Sequence, residues 1–216
     1  MTETARKRND PRRDATRAAL IEAAERLFAE SGVEAVSTRQ IGAAIGSLNT
    51  NVVAYHFGGK PALIEAVFHH RLPAIDRRRG ELLAELEAGG APLTIPALVR
   101  AFALPLFEQV DSAGQHSFAR FLVGLERSGM SGARGAVAGD YPVSARLTEL
   151  LVAQLPPETS GEGHLRMRLI VSLLATVLQV IDRDPALAPA AARRMFDNAI
   201  AMAAAAFGAP VEGTAR

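Results

Sequence analysis

Apolar residues recur three and four positions apart along most of the chain, a spacing that predicts helices rather than strands. Leu20, Ala24, Leu27 and Phe28 form the first stripe, on a helix running from Asp14 or Thr16 to Glu30. Gly32 follows as a C′ residue, where a left-handed backbone costs glycine little. Ser37-Thr38-Arg39-Gln40 reads as a capping box, the serine accepting from a first-turn amide while the glutamine reaches back. It opens a short helix with Ile41, Ala44 and Ile45 facing inward, and Gly46 ends it. Asn49 or Thr50 caps a third helix that runs to Phe57, with Val53 and Phe57 on its buried side. Gly58-Gly59 breaks that helix. Pro61 suits the first turn of a fourth, which reaches Glu87 with a kink at Pro73.

Beyond the loop Gly89-Gly90-Ala91-Pro92, helices are expected at 94–110, 115–128, 142–154, 162–182 and 189–207. Pro105 kinks or splits the first of these. The glycine-rich stretch Ser128–Tyr141 reads as a mobile loop. Segment 162–182 is apolar on nearly every side: Leu165, Leu169, Leu173, Val177 and Val180 make one stripe, and Ile170, Val171, Leu174, Leu178 and Ile181 another. Such a helix must be covered on nearly every side. Its own domain covers one face and a second subunit the other, which places a dimer interface at Leu174, Leu178, Ile181, Phe196, Ile200 and Phe207. The alanines of segment 189–207 permit the close approach this interface needs.

Composition narrows the class. Of 216 residues 49% are hydrophobic, ample for a packed core and too many for a disordered chain. There is no cysteine, which excludes disulfides, thiolate metal sites and cysteine nucleophiles and fits a reducing cytoplasm. Met1–Asp14 is polar and charged, unlike a secretory signal. The longest strongly apolar run, Leu169–Ile181, falls short of the ~20 residues a bilayer needs, so a buried helix and no membrane contact are expected. Residues 1–60 carry nine Lys and Arg against seven Asp and Glu. Arg6, Lys7, Arg8, Arg12, Arg13 and Arg17 give the N-terminus a basic arm suited to a polyanion.

Residues 37–57 therefore form a short helix, a tight turn and a second short helix. A major groove admits one α-helix, and the helix before it props that helix in place. Burying Val53 and Phe57 turns Thr50, Asn51, Ala54 and Tyr55 outward. Asparagine pairs with adenine through two hydrogen bonds, and a tyrosine hydroxyl suits phosphate.

Here the sequence resembles the DNA-binding domain of the TetR family. The resemblance spans Thr16–Val67 and rests on Ala23-Ala24-Glu25-Arg26-Leu27-Phe28-Ala29-Glu30-Ser31-Gly32, Ser37-Thr38-Arg39-Gln40-Ile41, Tyr55-His56-Phe57-Gly58-Gly59-Lys60 and Leu63. Two departures stand out. The interval from Gly46 to Phe57 is one residue longer than in most members, and Ala54 stands where an aromatic is usual, with Tyr55 next to it. The family's phosphate contact therefore passes to Tyr55 or another side chain. The resemblance implies an all-α fold: a basic arm over 1–13, a helix-turn-helix domain over 14–60, and a larger ligand-binding and dimerisation domain over 61–208, with helix four (61–87) linking them and a tail at 209–216. It implies a ligand-responsive transcriptional regulator, more readily a repressor, that binds a palindromic operator as a homodimer. Operator contacts are expected from Ser37, Thr38, Arg39, Asn49, Thr50, Asn51, Tyr55, His56 and Lys60, the lysine reaching backbone phosphate. It also implies a pocket for an unknown, partly apolar effector, for which Phe102, Leu106, Phe107, Phe118, Phe121, Leu122 and Leu125 are the candidates.

Other residues carry less. His69 and His70 project about 100° apart on a helix and cannot chelate one metal together, so no metal or cofactor is expected. His116 and His164 read as polar surface or pocket rim. Arg77-Arg78-Arg79, interleaved with Asp76, Glu81 and Glu85, reads as a salt-bridged, solvated face. No phosphate-cradling loop, nucleophile elbow or metal-spaced cluster marks an enzyme. The rival reading is a helical small-molecule-binding protein or enzyme whose N-terminal domain has lost DNA binding.

Overall fold

In the computed structural model, which describes residues 10–130 and 132–210, the first helix starts earlier than its apolar stripe. The Asp10 side chain accepts from the Arg12 amide at 3.1 Å, and Pro11 takes the first helical position, so α1 spans Pro11–Ser31. Arg12 and Arg13 of the expected arm are therefore helical, while Arg6, Lys7 and Arg8 lie outside the described residues. At Gly32 φ is +84°, and its amide donates to the Phe28 carbonyl at 3.0 Å.

The expected capping box opens α2 (Thr38–Ala44): Gln40 N–H donates to Ser37 Oγ at 3.2 Å, and Ser37 N–H donates to Gln40 Oε1 at 2.8 Å. Ile41 is fully buried, but Ala44 is exposed; Gly42 takes the inner position instead. A Cβ on Gly42 would lie 2.8 Å from Val52 Cγ1, so the crossing of α2 with α3 (Val52–Phe57) requires glycine there. α4 (Lys60–Ala88) continues through Pro73 as one helix, and α5 (Ile95–Glu108) continues through Pro105 without splitting.

The remaining helices are α6 (Ser117–Arg127), α7 (Gly132–Val137), α8 (Pro142–Val152), α9 (Pro157–Ser160), α10 (Gly163–Asp182) and α11 (Pro189–Phe207). The segment expected as a mobile loop, 128–141, instead holds α7, packed on α4, and a 3-10 turn at Ala138–Asp140. Among the described residues there is no strand. The fold is all-α: a helix-turn-helix at the N-terminus followed by a larger helical region.

One apolar core runs through both parts. α1 props the helix-turn-helix and also lies along α6. Phe28 stacks on Phe121 with ring centroids 6.0 Å apart, and the Phe68 ring meets Phe118 and Phe121 edge-on. Gly124 lets α6 approach the end of α1, since a Cβ there would sit 3.3 Å from the Phe28 carbonyl oxygen. A polar knot fastens the same junction. Glu25, 1% exposed, accepts from Arg71 of α4 at 2.6 and 2.9 Å and from the Ser117 hydroxyl at the start of α6.

Two sequence expectations change here. Arg77 and Arg78 do pair with Glu81, and Arg78 also with Glu108, but Arg79 is buried. Its guanidinium donates to the Phe102 carbonyl at 2.9 Å and to Ser144 Oγ at 2.8 Å and covers the Phe102 ring. His116 is no surface or rim residue either. It is buried, with Nδ1 2.6 Å from Asp182 Oδ1 and Nε2 3.1 Å from the Phe107 carbonyl oxygen. Both ring nitrogens thus face acceptors.

Candidate nucleic-acid interface and cavity

The second short helix is anchored from below and open above. Val53 is fully buried and Val52 nearly so, while Ala54 and Tyr55 face solvent, Tyr55 at 69% exposure. The helix begins at Val52, not at Asn49 or Thr50, because residues 46–51 form a bonded turn of their own. Gly46 takes φ +72°, Asn49 N–H donates to Ser47 Oγ at 3.2 Å, and Asn51 N–H donates to Asn49 Oδ1 at 2.9 Å. The Asn49 carboxamide oxygen is thereby committed to the turn, which leaves only its amide nitrogen for the expected operator contact. Asn51 holds the cap position without a side-chain capping bond, so its carboxamide is free. Thr50, Asn51 and Arg39 are exposed, Thr38 is half-buried, and the exposed Ser37 is occupied by its capping box.

α1 braces this helix from the side. Arg17 Nη1 donates to the His56 carbonyl at 2.7 Å, and its guanidinium carbon lies 4.2 Å from the centre of the half-buried Phe57 ring. Arg13 sits over the Tyr55 ring at 5.8 Å, and the Tyr55 and His56 rings meet edge-on at 5.0 Å. Burial, then the charges of Arg13 and Arg17, hold His56 below its ordinary pKa. Lys60 departs from expectation. Its Nζ donates to the Val36 carbonyl at 2.6 Å and lies 5.7 Å from the Phe28 ring centre. Burial lowers its pKa, opposed by Glu34. The ammonium ties α4 to the loop before α2 instead of projecting toward a phosphate.

A cavity of about 540 Å³ opens among α4, α5, α6, α7, α8 and α10. Of the seven candidates, Phe102, Leu106, Phe118 and Leu122 line it. The other three candidates do not, because neighbouring helices cover them. Phe121 lies between Phe28 and Phe68, Phe107 stacks on Phe196 at 5.0 Å, and Leu125 is buried in the core. Tyr141, Ser144, Thr148 and Arg168 add polar groups to the wall. The Tyr141 hydroxyl lies 2.9 Å from His69 Nδ1, and burial followed by Asp140 and Asp76 raises its pKa, which keeps it a phenol.

The expected dimer residues are corrected. Leu174, Leu178, Phe196 and Phe207 are fully buried within one subunit, and Ile181 and Ile200 are at most 8% exposed. They pack α10 and α11 against the subunit's own core. The opposite stripe of α10 is only partly covered: Leu173 and Val177 are half-buried, while Leu165 is 52%, Leu169 61% and Val180 46% exposed, with Met202 of α11 at 61%. By length and composition α10 is also apolar enough to cross a membrane. In the structure it packs on α5, α6, α8 and α11 and ends in Asp182, bonded to His116.

Residues 20–67 match the family model described as bacterial regulatory proteins, tetR family. Over this stretch the chain is similar to that family. The stretch contains most of α1, both helices of the helix-turn-helix and the start of α4. Among solved structures, a chain from Pseudomonas aeruginosa PAO1, described as a candidate transcriptional regulator, shares 20% identity. That match covers 94% of this chain and 97% of that one with a TM-score of 0.47. No curated protein matches the chain.

Beside the exposed face, the sequence reading assigned Arg13 and Arg17 to a basic arm and missed Leu48. Arg13 and Arg17 lie four apart, on one side of α1. The pair Asp10-Pro11, a cap residue followed by a first-turn proline, was the signal for a helix reaching far enough to place them. Leu48, in the turn, is 99% exposed, and nothing in the periodicity of so short a segment marks it.

Proposed function

We propose that this protein is a ligand-responsive transcriptional regulator, a repressor that works in the cytoplasm and binds a two-fold operator as a homodimer. The observation that carries the reading is the open face of α3 and its turn, most of it within a stretch that matches the tetR family: Thr50, Asn51 and Tyr55 exposed over buried valines, with Arg13 over the Tyr55 ring and Arg39 exposed on α2. Asn51 suits adenine, Tyr55 and the arginines suit phosphate. The exposed row Leu165, Leu169 and Val180 with Met202 supports a second subunit covering α10 and α11. Two subunits would present two copies of α3 to half-sites about 34–36 Å apart.

The cavity supports an effector site, largely apolar with a polar side. Its route to the DNA-binding domain runs through three consecutive residues at the start of α6. Phe118 lines the cavity, the Ser117 hydroxyl holds Glu25 of α1, and His116 holds Asp182 at the end of α10. An effector that displaces this turn loads both α1 and α10, so effector and operator each favour a different arrangement and weaken one another's binding equally.

Selection of binding sequences from a random duplex pool by the full-length protein tests the reading. Enrichment of an inverted repeat, its halves centred about one helical turn apart, is the expected outcome. A pool that emerges unenriched, while the protein remains folded, would support the helical binding protein without DNA function instead.

A further inference from the structure

Leu48 is exposed as no other large apolar residue among the described ones is. The other exposed aliphatics gather mainly on α10 and α11, where a second subunit is proposed to cover them. Leu48 stands in the turn of the helix-turn-helix and packs against nothing in its own subunit.

Its neighbours are both turned to internal work. Ser47 N–H donates to the Gly42 carbonyl at 3.1 Å, and its Oγ accepts from Asn49 N–H. The Asn49 side chain accepts from Asn51 N–H, and its carbonyl accepts from Val52 N–H at 3.2 Å. Leu48 is thus the outward residue of a turn bonded on both sides of it. A group held on such a turn loses little freedom when something covers it. Asn51, three residues on, leaves its carboxamide unbonded at the head of α3.

Resting on the DNA-binding reading above, we propose that Leu48 is a base-reading residue that recognises thymine through its C5 methyl group. In helix-turn-helix proteins the N-terminal end of the second helix meets base edges, and Leu48 lies just before that end. Every hydrogen-bonding group in the major groove is polar, and the thymine methyl is the one apolar feature a leucine can bury there. With Asn51 addressing adenine, the pair favours an A·T-containing step in each half-site. Leu48 contributes discrimination for thymine over cytosine, which lacks the methyl and offers an amino group instead.

The test uses the full-length protein and the duplex it selects. Each thymine of one half-site, then of both, is replaced by deoxyuridine, which removes the methyl and keeps the pairing. Wild type should lose about fourfold in affinity per half-site at one thymine, the value expected for one buried methyl, and about sixteenfold when both halves are changed. Leu48→Ala should bind the thymine operator at least as weakly as wild type binds the uracil one and be indifferent to the replacement. Its melting temperature should match wild type, since Leu48 packs on nothing. Indifference of wild type to uracil at every thymine overturns the proposal. A full uracil penalty retained by Leu48→Ala also overturns it and assigns the methyl to another side chain. A pool from which no sequence is enriched overturns the DNA-binding reading itself, and this inference with it.

Discussion

At the scale of single residues, the exposed face of α3 depends on side chains that never reach it. Arg17 bonds the His56 carbonyl and stacks on Phe57, so it clamps the last turn of a six-residue helix too short to hold itself. Arg17→Ala should cost about 1–2 kcal/mol of stability, from one charged hydrogen bond and one partly exposed cation–π contact. Arg17→Lys should lose part of the same amount, because an ammonium lacks the planar face that a guanidinium lays on the Phe57 ring while it bonds the carbonyl. Thermal unfolding of both variants checks this; a lysine variant as stable as wild type would mean that the charge alone matters. Lys60 teaches the same lesson. Its position in the sequence matches a phosphate-contacting lysine, yet its ammonium is held by the Val36 carbonyl. Sequence shows which donors exist and not which acceptor the packing brings to them.

At the scale of elements, most of the helices were legible because their ends carry chemistry. Ser37 and Gln40 cap α2 as the pattern required, and α10 and α11 run within a residue of the expected 162–182 and 189–207. α7 was not legible, since its glycine-rich sequence reads as loop and only packing on α4 makes it a helix. The face of α10 was not legible either. Both its stripes are apolar, and only the three-dimensional arrangement shows that Leu174 and Leu178 meet the subunit's own core while Leu165 and Leu169 do not. The distinction is testable. Leu169→Asp places a charge where the isolated subunit is already wet, so it should leave a folded 22.9 kDa monomer in sedimentation. Leu178→Asp buries an unpaired charge and should unfold or aggregate. A Leu169→Asp protein that keeps the wild-type mass would remove this row from the proposed subunit interface.

At the scale of the whole molecule, the apolar core is continuous across the boundary expected near residue 60. Phe28, Phe68, Phe118 and Phe121 cross it, and Glu25 joins α1, α4 and α6 through Arg71 and Ser117. The chain should therefore unfold in a single transition. Glu25→Gln, which leaves Arg71 short of its countercharge, should cost about 3–5 kcal/mol and lower that transition as a whole. Calorimetry showing an early N-terminal transition followed by an unshifted second one would deny the connection. Under the proposed function that connection carries events in the cavity to the exposed face of α3, which requires two subunits to sit together on one duplex. Sedimentation of a labelled, selected operator with the protein measures this directly. The account predicts two 22.9 kDa subunits per duplex and no complex with a scrambled duplex at the same salt. One subunit per duplex, or equal binding to both sequences, would contradict it.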